Sequence, residues 1–181
     1  ISELEYKWPL HFPDQSFKLS QITPGGVEIE TSSVAGFLLN QVLKTPSKIL
    51  YRIKTQKCRD IPKLYNIIKK IKWKDYLNQE EVTFTVSCSK SRLIHTDKIK
   101  DAALSGIKDY FSANRIPKKI QDQFNETPKP EILIRIADDN LQISLNTSGD
   151  LLHIRGNESF RGHAPIRSTM ASALLIKILG L

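Results

Sequence analysis

The residues of this sequence best suited to chemistry are lysines and arginines, and they are concentrated in one window. Residues 44–75 contain eleven basic side chains, and only Asp60 and Asp75 oppose them. The window therefore carries a charge of +9, whereas the whole 181-residue chain has a formal net charge of +8. Such a density focuses positive potential, and polyanions are the natural partners. We interpret the window as a nucleic-acid-binding stripe. The alternative is a solvated face that only keeps the protein in solution. A membrane-surface patch would need an amphipathic helix with a bulky apolar face.

The other side chains that could support catalysis follow no known pattern. Cys58 and Cys88 match neither a zinc-ligand spacing nor a disulfide framework, which favours an intracellular, cytoplasmic protein. The sequence contains no glycine-rich dinucleotide turn, no phosphate-binding loop and no GxSxG elbow. The histidines are scattered without an HExxH or paired-ligand spacing: His11, His95, His153 and His163. We therefore predict no catalytic residue, no metal and no cofactor in this chain.

Composition and length indicate an ordinary folded chain. It is 40% hydrophobic and 25% charged, and its length suits one medium domain or two small ones. The longest apolar stretch, residues 170–181, is too short to span a bilayer and includes Lys177, so we expect no membrane association. Because the sequence opens on Ile1 and not on Met, we expect a fragment of a longer protein.

The first third of the sequence predicts a small α+β unit. Alternating residues around Gly25 and Gly26 predict a hairpin over residues 17–30. A helix is expected from Ser33 to Lys44, and a mostly buried strand over residues 49–54. Residues 1–16 show no clear period, so this unit could lack its first strand and helix.

The basic stripe is predicted to form one face of a helix. Asp60 is a typical N-cap, and Pro62 is typical of a first helical turn. The apolar positions fall on an inner face at helical spacing: Ile61, Leu64, Tyr65, Ile68 and Ile71. The opposite face is then a polar and basic ridge: Lys63, Asn66, Lys70 and Lys74.

The remaining elements alternate between strand and helix patterns. A half-buried strand is predicted over residues 82–88, followed by a long helix capped by Thr96 or Asp97. Residues 114–130 read as an irregular connection. Strands over residues 132–136 and 141–145 are expected to pair as a hairpin, and a terminal helix with exposed apolar positions to begin near residue 165.

Two motifs near the end of the sequence resemble a known family. Residues 144–156, SLNTSGDLLHIRG, resemble the "SLDTSGxxLHxRGY" end of a THUMP domain. Residues 161–175, RGHAPIRSTMASALL, resemble the "APLRETLAAALL" entry into a methyltransferase domain. Asn146 stands where the family usually has Asp, and Asn157 where it usually has Tyr.

Upstream segments extend this resemblance to nearly the whole chain after residue 17. Residues 40–50 are similar to the family's "NLxLRTASRVL" helix, although Pro46 replaces a helix-compatible Ala. Leu64 and Tyr65 with Trp73 are similar to its "LYxxxxxIxW" segment, and residues 91–96 to its "SxLxHT" segment. The sequence thus resembles the N-terminal, RNA-binding half of the THUMP-containing guanine-N2 RNA methyltransferases, of the type that modifies 23S rRNA of the large ribosomal subunit.

The resemblance implies an architecture and a function. It implies an α+β fold, with a ferredoxin-like subdomain over residues 1–55, either complete or incomplete, packed on an α/β THUMP domain over residues 56–156. Residues 157–181 would be the linker and first helix leading to a methyltransferase domain outside this chain, which would bind S-adenosylmethionine. This chain would position structured RNA, either rRNA or tRNA, for that domain without being an enzyme by itself.

We expect RNA phosphates to be held by basic side chains, and RNA to be recognised by its shape and by an unpaired end. Tyr65 and Trp73 could stack on bases, but their helical spacing favours the core. One alternative function is a protein-interaction module with a basic docking face. A second is a THUMP-bearing thiouridine synthetase or pseudouridine synthase, which the motif at residues 164–167 disfavours. A third is a free-standing enzyme. Nine residues are the predicted RNA contacts: Lys63, Lys70, Lys74, Lys90, Arg92, Lys98, Lys118, Lys119 and Arg155.

Overall fold

The computed structural model describes residues 1–23, 25–114, 129–152 and 166–180. The chain divides into two compact units, one comprising Ile1–Ile49 with Asp150–Leu181 and the other Leu50–Gly149. Both mix helices with strands, which confirms the expected α+β class. The N-terminal subdomain is predicted to end at residue 55, whereas the second unit begins at Leu50. The strand predicted over residues 49–54 pairs within the sheet of the second unit, which accounts for this difference.

The first unit combines a β-hairpin with helices. Its elements are α1 (Ser2–His11), β1 (Lys18–Thr23), β2 (Gly26–Glu30), α2 (Ser33–Val42) and α5 (Ser168–Leu179). Strands β1 and β2 pair antiparallel, which confirms the predicted hairpin. The Ser32 hydroxyl accepts a hydrogen bond from the Ala35 amide (3.2 Å) and caps α2.

Helix α1 lies within residues 1–16, in which no periodic pattern predicts an element. Its buried apolar residues, Leu4 and Trp8, are four positions apart. Tyr6, which lies between them in the sequence, and Leu10, which follows them, are both exposed. Such a distribution weakens the amphipathic signal, and Pro9 inside the helix weakens it further.

The first unit has a small core between α1 and α2. It consists of Leu4, Trp8, Phe12, Ala35 and Leu39. The Trp8 ring lies 4.7 Å from the Phe12 ring, centroid to centroid. Its indole N–H donates to the Gln15 carbonyl (2.7 Å), so the one polar atom of this side chain is satisfied.

The second unit is a four-stranded sheet with two helices. Its elements are β3 (Leu50–Lys57), α3 (Ile61–Lys69), a 3₁₀ turn (Trp73–Asp75), β4 (Thr83–Ser89), α4 (Thr96–Ala113), β5 (Glu131–Ala137) and β6 (Asn140–Asn146). The strand order is β3-β6-β5-β4, and β4 and β5 are parallel while the other pairs are antiparallel. The predicted hairpin of the two last strands is confirmed, whereas the predicted cap of α4 is wrong: His95 occupies the N-cap, without a side-chain hydrogen bond.

The core of the second unit is apolar and continuous across helices and sheet. Ile132, Ile136 and Ile143 from the strands are fully buried against α3 and α4. The two helices approach closely at Gly106, where an added Cβ would lie 3.0 Å from Ile68 Cγ2 and 3.2 Å from the Tyr65 carbonyl oxygen. A larger residue there would force α3 away from α4.

Helix α5 was predicted to begin near Pro165 and begins at Ser168. None of its described side chains is buried, and Leu174, Leu175 and Ile178 are exposed. Among the described residues, no helix combines the length and apolar character needed to cross a bilayer.

Candidate nucleic-acid interface

A groove of about 690 Å³ lies in the second unit, between strand β3 on one side and α3 with the following 3₁₀ turn on the other. Lysines from β3, from α3 and from the connection between α3 and the 3₁₀ turn line it: Lys54, Lys63, Lys70 and Lys72. Its apolar lining includes Ile53, Ile67 and Ile71, and Tyr76 adds an aromatic ring. Gln56 and Asn66 contribute amide groups. We refer to this region as the lysine groove.

The local sequence explains how α3 presents its lysines. The Asp60 carboxylate accepts a hydrogen bond from the Lys63 amide (2.7 Å), so the helix begins where the sequence predicts. Leu64, Ile67 and Ile68 are buried at helical spacing. Lys63 and Lys70, two turns apart, therefore lie on the outer face, as predicted, and both line the groove.

Lys74 does not line the groove, although the sequence places it on the same ridge. Helix α3 ends at Lys69, and the chain turns through Ile71 into the 3₁₀ turn, so the helical phase does not continue to Lys74. The turn is fixed by Trp73, which is fully buried and donates its indole N–H to the Ile68 carbonyl (2.8 Å). Burial of Trp73 agrees with its expected place in the core.

The groove lysines are exposed and carry no ion pair within the described residues. Several other lysines of the unit are paired: Lys69 with Asp109 (3.5 Å), Lys100 with Asp97 (3.8 Å) and Lys129 with Glu81 (3.0 Å). Two carboxylates, Asp60 and Asp75, also line the groove, so it keeps an excess of positive charge. A concave surface lined by an excess of one sign attracts ligands of the opposite sign.

Tyr65 and Lys69 lie on α3 but are engaged with α4. The Tyr65 hydroxyl donates to the Asp109 carboxylate, and the Lys69 ammonium lies 3.0 Å from the same hydroxyl oxygen. The hydrogen bond from Tyr65, reinforced by Lys69, lowers the pKa of Asp109 despite some loss of solvation. Tyr65 therefore joins two helices and does not line the groove.

Lys90 and Arg92 lie at a different place, near the ends of strands β4 and β5. Lys90 and Arg92 follow β4, and Lys98 lies in the first turn of α4. All three are exposed. Arg59, which the sequence analysis did not select, reaches the same region by its ion pair with Asp139 (2.9 Å).

Lys118, Lys119 and Arg155 lie outside the described residues. Lys44 and Lys48, at the start of the basic stripe, belong to the first unit.

Within the described ranges, no group of three or more His, Cys, Asp or Glu side chains is arranged to hold a metal ion. Burial raises the pKa of both the Cys58 and the Cys88 thiols, which disfavours the nucleophilic thiolate.

Comparison with known proteins finds similar chains whose names are those of methyltransferases or methylases. A Synechocystis sp. protein named "putative RNA methyltransferase" is 30% identical to this chain over 146 residues, 71% of the chain and 34% of that protein. The structure of a "predicted N6-adenine-specific DNA methylase" from Listeria monocytogenes matches 96% of this chain at 24% identity with a TM-score of 0.73. A "putative methyltransferase" complexed with SAH matches 97% of this chain at 20% identity, with a TM-score of 0.70. No protein-family model matches the chain.

The chain spans only part of each of these proteins. It covers 34% of the Synechocystis protein and 45% and 46% of the two solved structures. The chain is thus similar to a portion of each of these proteins, and its fold is the one found in the matched portion of the two solved structures.

Proposed function

We propose that this chain is the RNA-binding portion of a THUMP-containing guanine-N2 RNA methyltransferase. In this proposal residues 1–55 belong to a ferredoxin-like subdomain and residues 56–156 to a THUMP domain, and the chain holds a structured rRNA or tRNA. The methyl group would come from S-adenosylmethionine, bound by a catalytic domain that lies outside this chain. The likeness to a relative with the name of an RNA methyltransferase supports the substrate class.

The observation that carries the proposal is the lysine groove. Its lysines are exposed and not used in ion pairs within the described residues, so phosphates can neutralise them without displacing a protein carboxylate. Each neutralised phosphate releases counterions, which makes the affinity fall steeply with salt.

The composition of the groove favours an unpaired nucleotide within a structured RNA. The half-buried Tyr76 ring, with the half-buried Ile53 side chain, supplies apolar surface on which a base can stack. The amides of Gln56 and Asn66 can hydrogen-bond to base edges, which are inaccessible in the deep major groove of an A-form duplex. We therefore propose that the groove holds a single-stranded segment next to a duplex.

The test is a titration of the whole chain with a fluorescent RNA hairpin that has a single-stranded 3′ tail, over a salt series. A DNA hairpin of the same sequence is the comparison. We expect tighter binding to RNA, with the logarithm of affinity falling by several units per logarithmic unit of salt. Equal, weak binding to RNA and DNA would overturn the proposal.

The groove itself is tested by the double variant Lys63→Glu/Lys70→Glu. We expect at least a tenfold loss of RNA affinity and a salt slope smaller by about 2, roughly one per phosphate contact. The matched control is Lys108→Glu/Lys177→Glu, which reverses two exposed lysines on helices α4 and α5, neither of which lines the groove. An equal loss in the control would mean that only the net charge matters.

The competing interpretation is a module that docks an acidic protein through its basic face. It predicts weak salt dependence and no preference for RNA in the same titration.

A further inference from the structure

Three segments of the second unit meet at one carboxylate, that of Asp139 in the turn between β5 and β6. Its Oδ1 accepts hydrogen bonds from the Ser91 hydroxyl (2.9 Å) and the Arg92 amide (3.0 Å). Its Oδ2 accepts one from Arg59 Nε (2.9 Å). The Asp139 carbonyl accepts from the Cys58 amide (2.8 Å), so the ends of β3 and β4 are both fixed to this turn.

These contacts gather four basic residues at one edge of the sheet, which we call the strand-end cluster: Lys57, Arg59, Lys90 and Arg92. Lys57 is paired in register with Asn140, next to Asp139. All four are exposed. Asp138 and Asp139 are the carboxylates of the same turn, so the cluster keeps an excess of positive charge.

The backbone of the cluster adopts an unusual conformation. Asp138, Asp139 and Lys90 have φ angles of 50°, 58° and 46°, in the left-handed region. Aspartate tolerates this region in tight hairpin turns, but lysine does so less readily. Such backbone strain persists only where surrounding contacts fix it, and it is concentrated at functional sites.

The hydrogen-bonding capacity of the cluster is suited to phosphate. Arg59 uses Nε on Asp139, and its two terminal amino groups still carry N–H donors. Within the described residues the side chains of Lys57, Lys90 and Arg92 have no ion-pair partner. Guanidinium groups match phosphate oxygens in a two-pronged geometry. No aromatic residue occurs at positions 57–60, 89–92 or 137–140, so the cluster offers no stacking surface for a base.

The cluster and the lysine groove are adjacent along the chain at the start of α3. Arg59 precedes Asp60, which caps α3 and also lines the groove, and Lys63 follows one turn later. A ligand that fills the groove and extends past the start of α3 therefore reaches the cluster. The two surfaces differ in chemistry, since one has an apolar and aromatic lining and the other is only ionic.

We propose that the strand-end cluster is a second phosphate-binding surface, which holds the backbone of a base-paired RNA segment while the lysine groove holds the adjoining unpaired segment. This inference rests on the proposed function. A duplex shows the protein its phosphates and 2′-hydroxyls, which a purely ionic surface can contact, whereas its bases are stacked and paired. Asp139 is the positioning residue of this surface.

The test compares two double variants on three RNAs: a hairpin with a 3′ tail, the same hairpin with a blunt end, and the tail alone. The cluster variant is Lys57→Glu/Arg92→Glu, which leaves the left-handed residues unchanged. The groove variant is Lys63→Glu/Lys70→Glu, and Lys108→Glu/Lys177→Glu is the control. Circular dichroism tests whether each variant is folded. If the double cluster variant is not folded, the single variant Arg92→Ala takes its place.

We expect the cluster variant to bind the blunt hairpin at least tenfold more weakly, and the tail alone within twofold of the unaltered chain. The groove variant should bind the tail alone at least tenfold more weakly, and the blunt hairpin within twofold of the unaltered chain. A cluster variant that keeps full affinity for the hairpin, or loses both RNAs equally, would overturn this inference while leaving the proposed function intact. Failure of the unaltered chain to prefer RNA over DNA would overturn both.

Discussion

The two compact units use their charged residues in opposite ways. In the second unit the core is apolar, and many of its exposed lysines are unpaired within the described residues. In the first unit the core is small, and a buried carboxylate, Glu3, with 4% of its surface exposed, holds the helices together. A large apolar core can tolerate unpaired surface charges because packing supplies its stability. A small one depends on its polar contacts.

Glu3 of α1 is bonded to the segment that follows α2. One carboxylate oxygen accepts from the Lys44 amide (2.8 Å) and from the Lys7 ammonium (2.7 Å). The other accepts from the amide (2.9 Å) and the hydroxyl (2.6 Å) of Thr45. Burial raises the pKa of Glu3, but the bonds from Lys7, Thr45 and Lys44 outweigh burial and leave the pKa below its ordinary value of 4.5.

The two tryptophans of the chain allow the units to be followed separately, since Trp8 lies in the core of the first and Trp73 in the core of the second. In Trp73→Phe the fluorescence reports the first unit, and in Trp8→Phe it reports the second. Hydrogen exchange of peptides from residues 1–49 and 50–149 gives an independent readout.

The largest effect is expected from Trp73→Ala. It leaves a cavity in the core of the second unit and removes the hydrogen bond to Ile68, at a cost of about 3–5 kcal/mol. Denaturant unfolding, monitored by hydrogen exchange, should show the loss of stability in residues 50–149. The RNA affinity should fall as well, because Trp73 fixes the turn beside the groove. Full stability of this variant would contradict a packing-dominated second unit.

The next largest effect is expected from Glu3→Gln, at about 2 kcal/mol, because a neutral amide cannot satisfy all the donors around it. Since the pKa of Glu3 is lowered in the folded state, its stabilisation is fully present above 4.5 and is lost as pH falls through the lower folded value. Trp8 fluorescence in the Trp73→Phe background should therefore show acid destabilisation of the first unit.

Because the side chain of glutamine does not titrate, Glu3→Gln should abolish the acid dependence that arises from this site. If the stability of the first unit depends on pH in the same way with and without Glu3, the first unit does not depend on this buried carboxylate, and the proposed difference between the units is wrong.

A smaller effect is expected from Asp60→Ala, which removes the N-cap of α3 at a cost of about 1 kcal/mol. Asp60→Asn keeps a capping oxygen and should cost much less, as a denaturation midpoint will show. Both variants remove the same carboxylate from the groove, so their RNA affinities are compared with each other. Because the cap fixes the first turn, which carries Lys63, the alanine variant should bind RNA more weakly than the asparagine variant. Equal RNA affinity of both variants would show that the cap does not position the groove.

The smallest effect on stability is expected from Lys63→Glu/Lys70→Glu, within about 0.5 kcal/mol, because exposed and unpaired side chains contribute little to folding. The same change should have the largest effect on RNA binding. A large loss of stability would mean that these lysines serve the fold.

Local patterns in the sequence predicted several elements correctly. The hairpin around Gly26 and the pairing of β5 with β6 depend on short-range turn signals and alternation. The start of α3 depends on Asp60 and its neighbours. Helix α1 was not predicted, since its buried residues make contacts only once α2 is in place.

The candidate site was predicted only in part. Lys63 and Lys70 were found because helical periodicity places them on the outer face of α3. Lys54 and Lys72 were not selected, because they reach the groove from β3 and from the turn after α3. Lys74 was extrapolated along a helix that ends at Lys69. The RNA contacts themselves remain predictions.

The sequence by itself determined the charge of this protein, the type of most of its elements and its likeness to RNA methyltransferases, because these depend on composition and short-range spacing. Only the tertiary structure decided which lysines share a surface. Sheet order brings the ends of β3, β4 and β5 to Asp139, and buried Trp73 turns the chain so that Lys72 lines the groove. These arrangements depend on contacts between residues far apart in the chain, which no local pattern encodes.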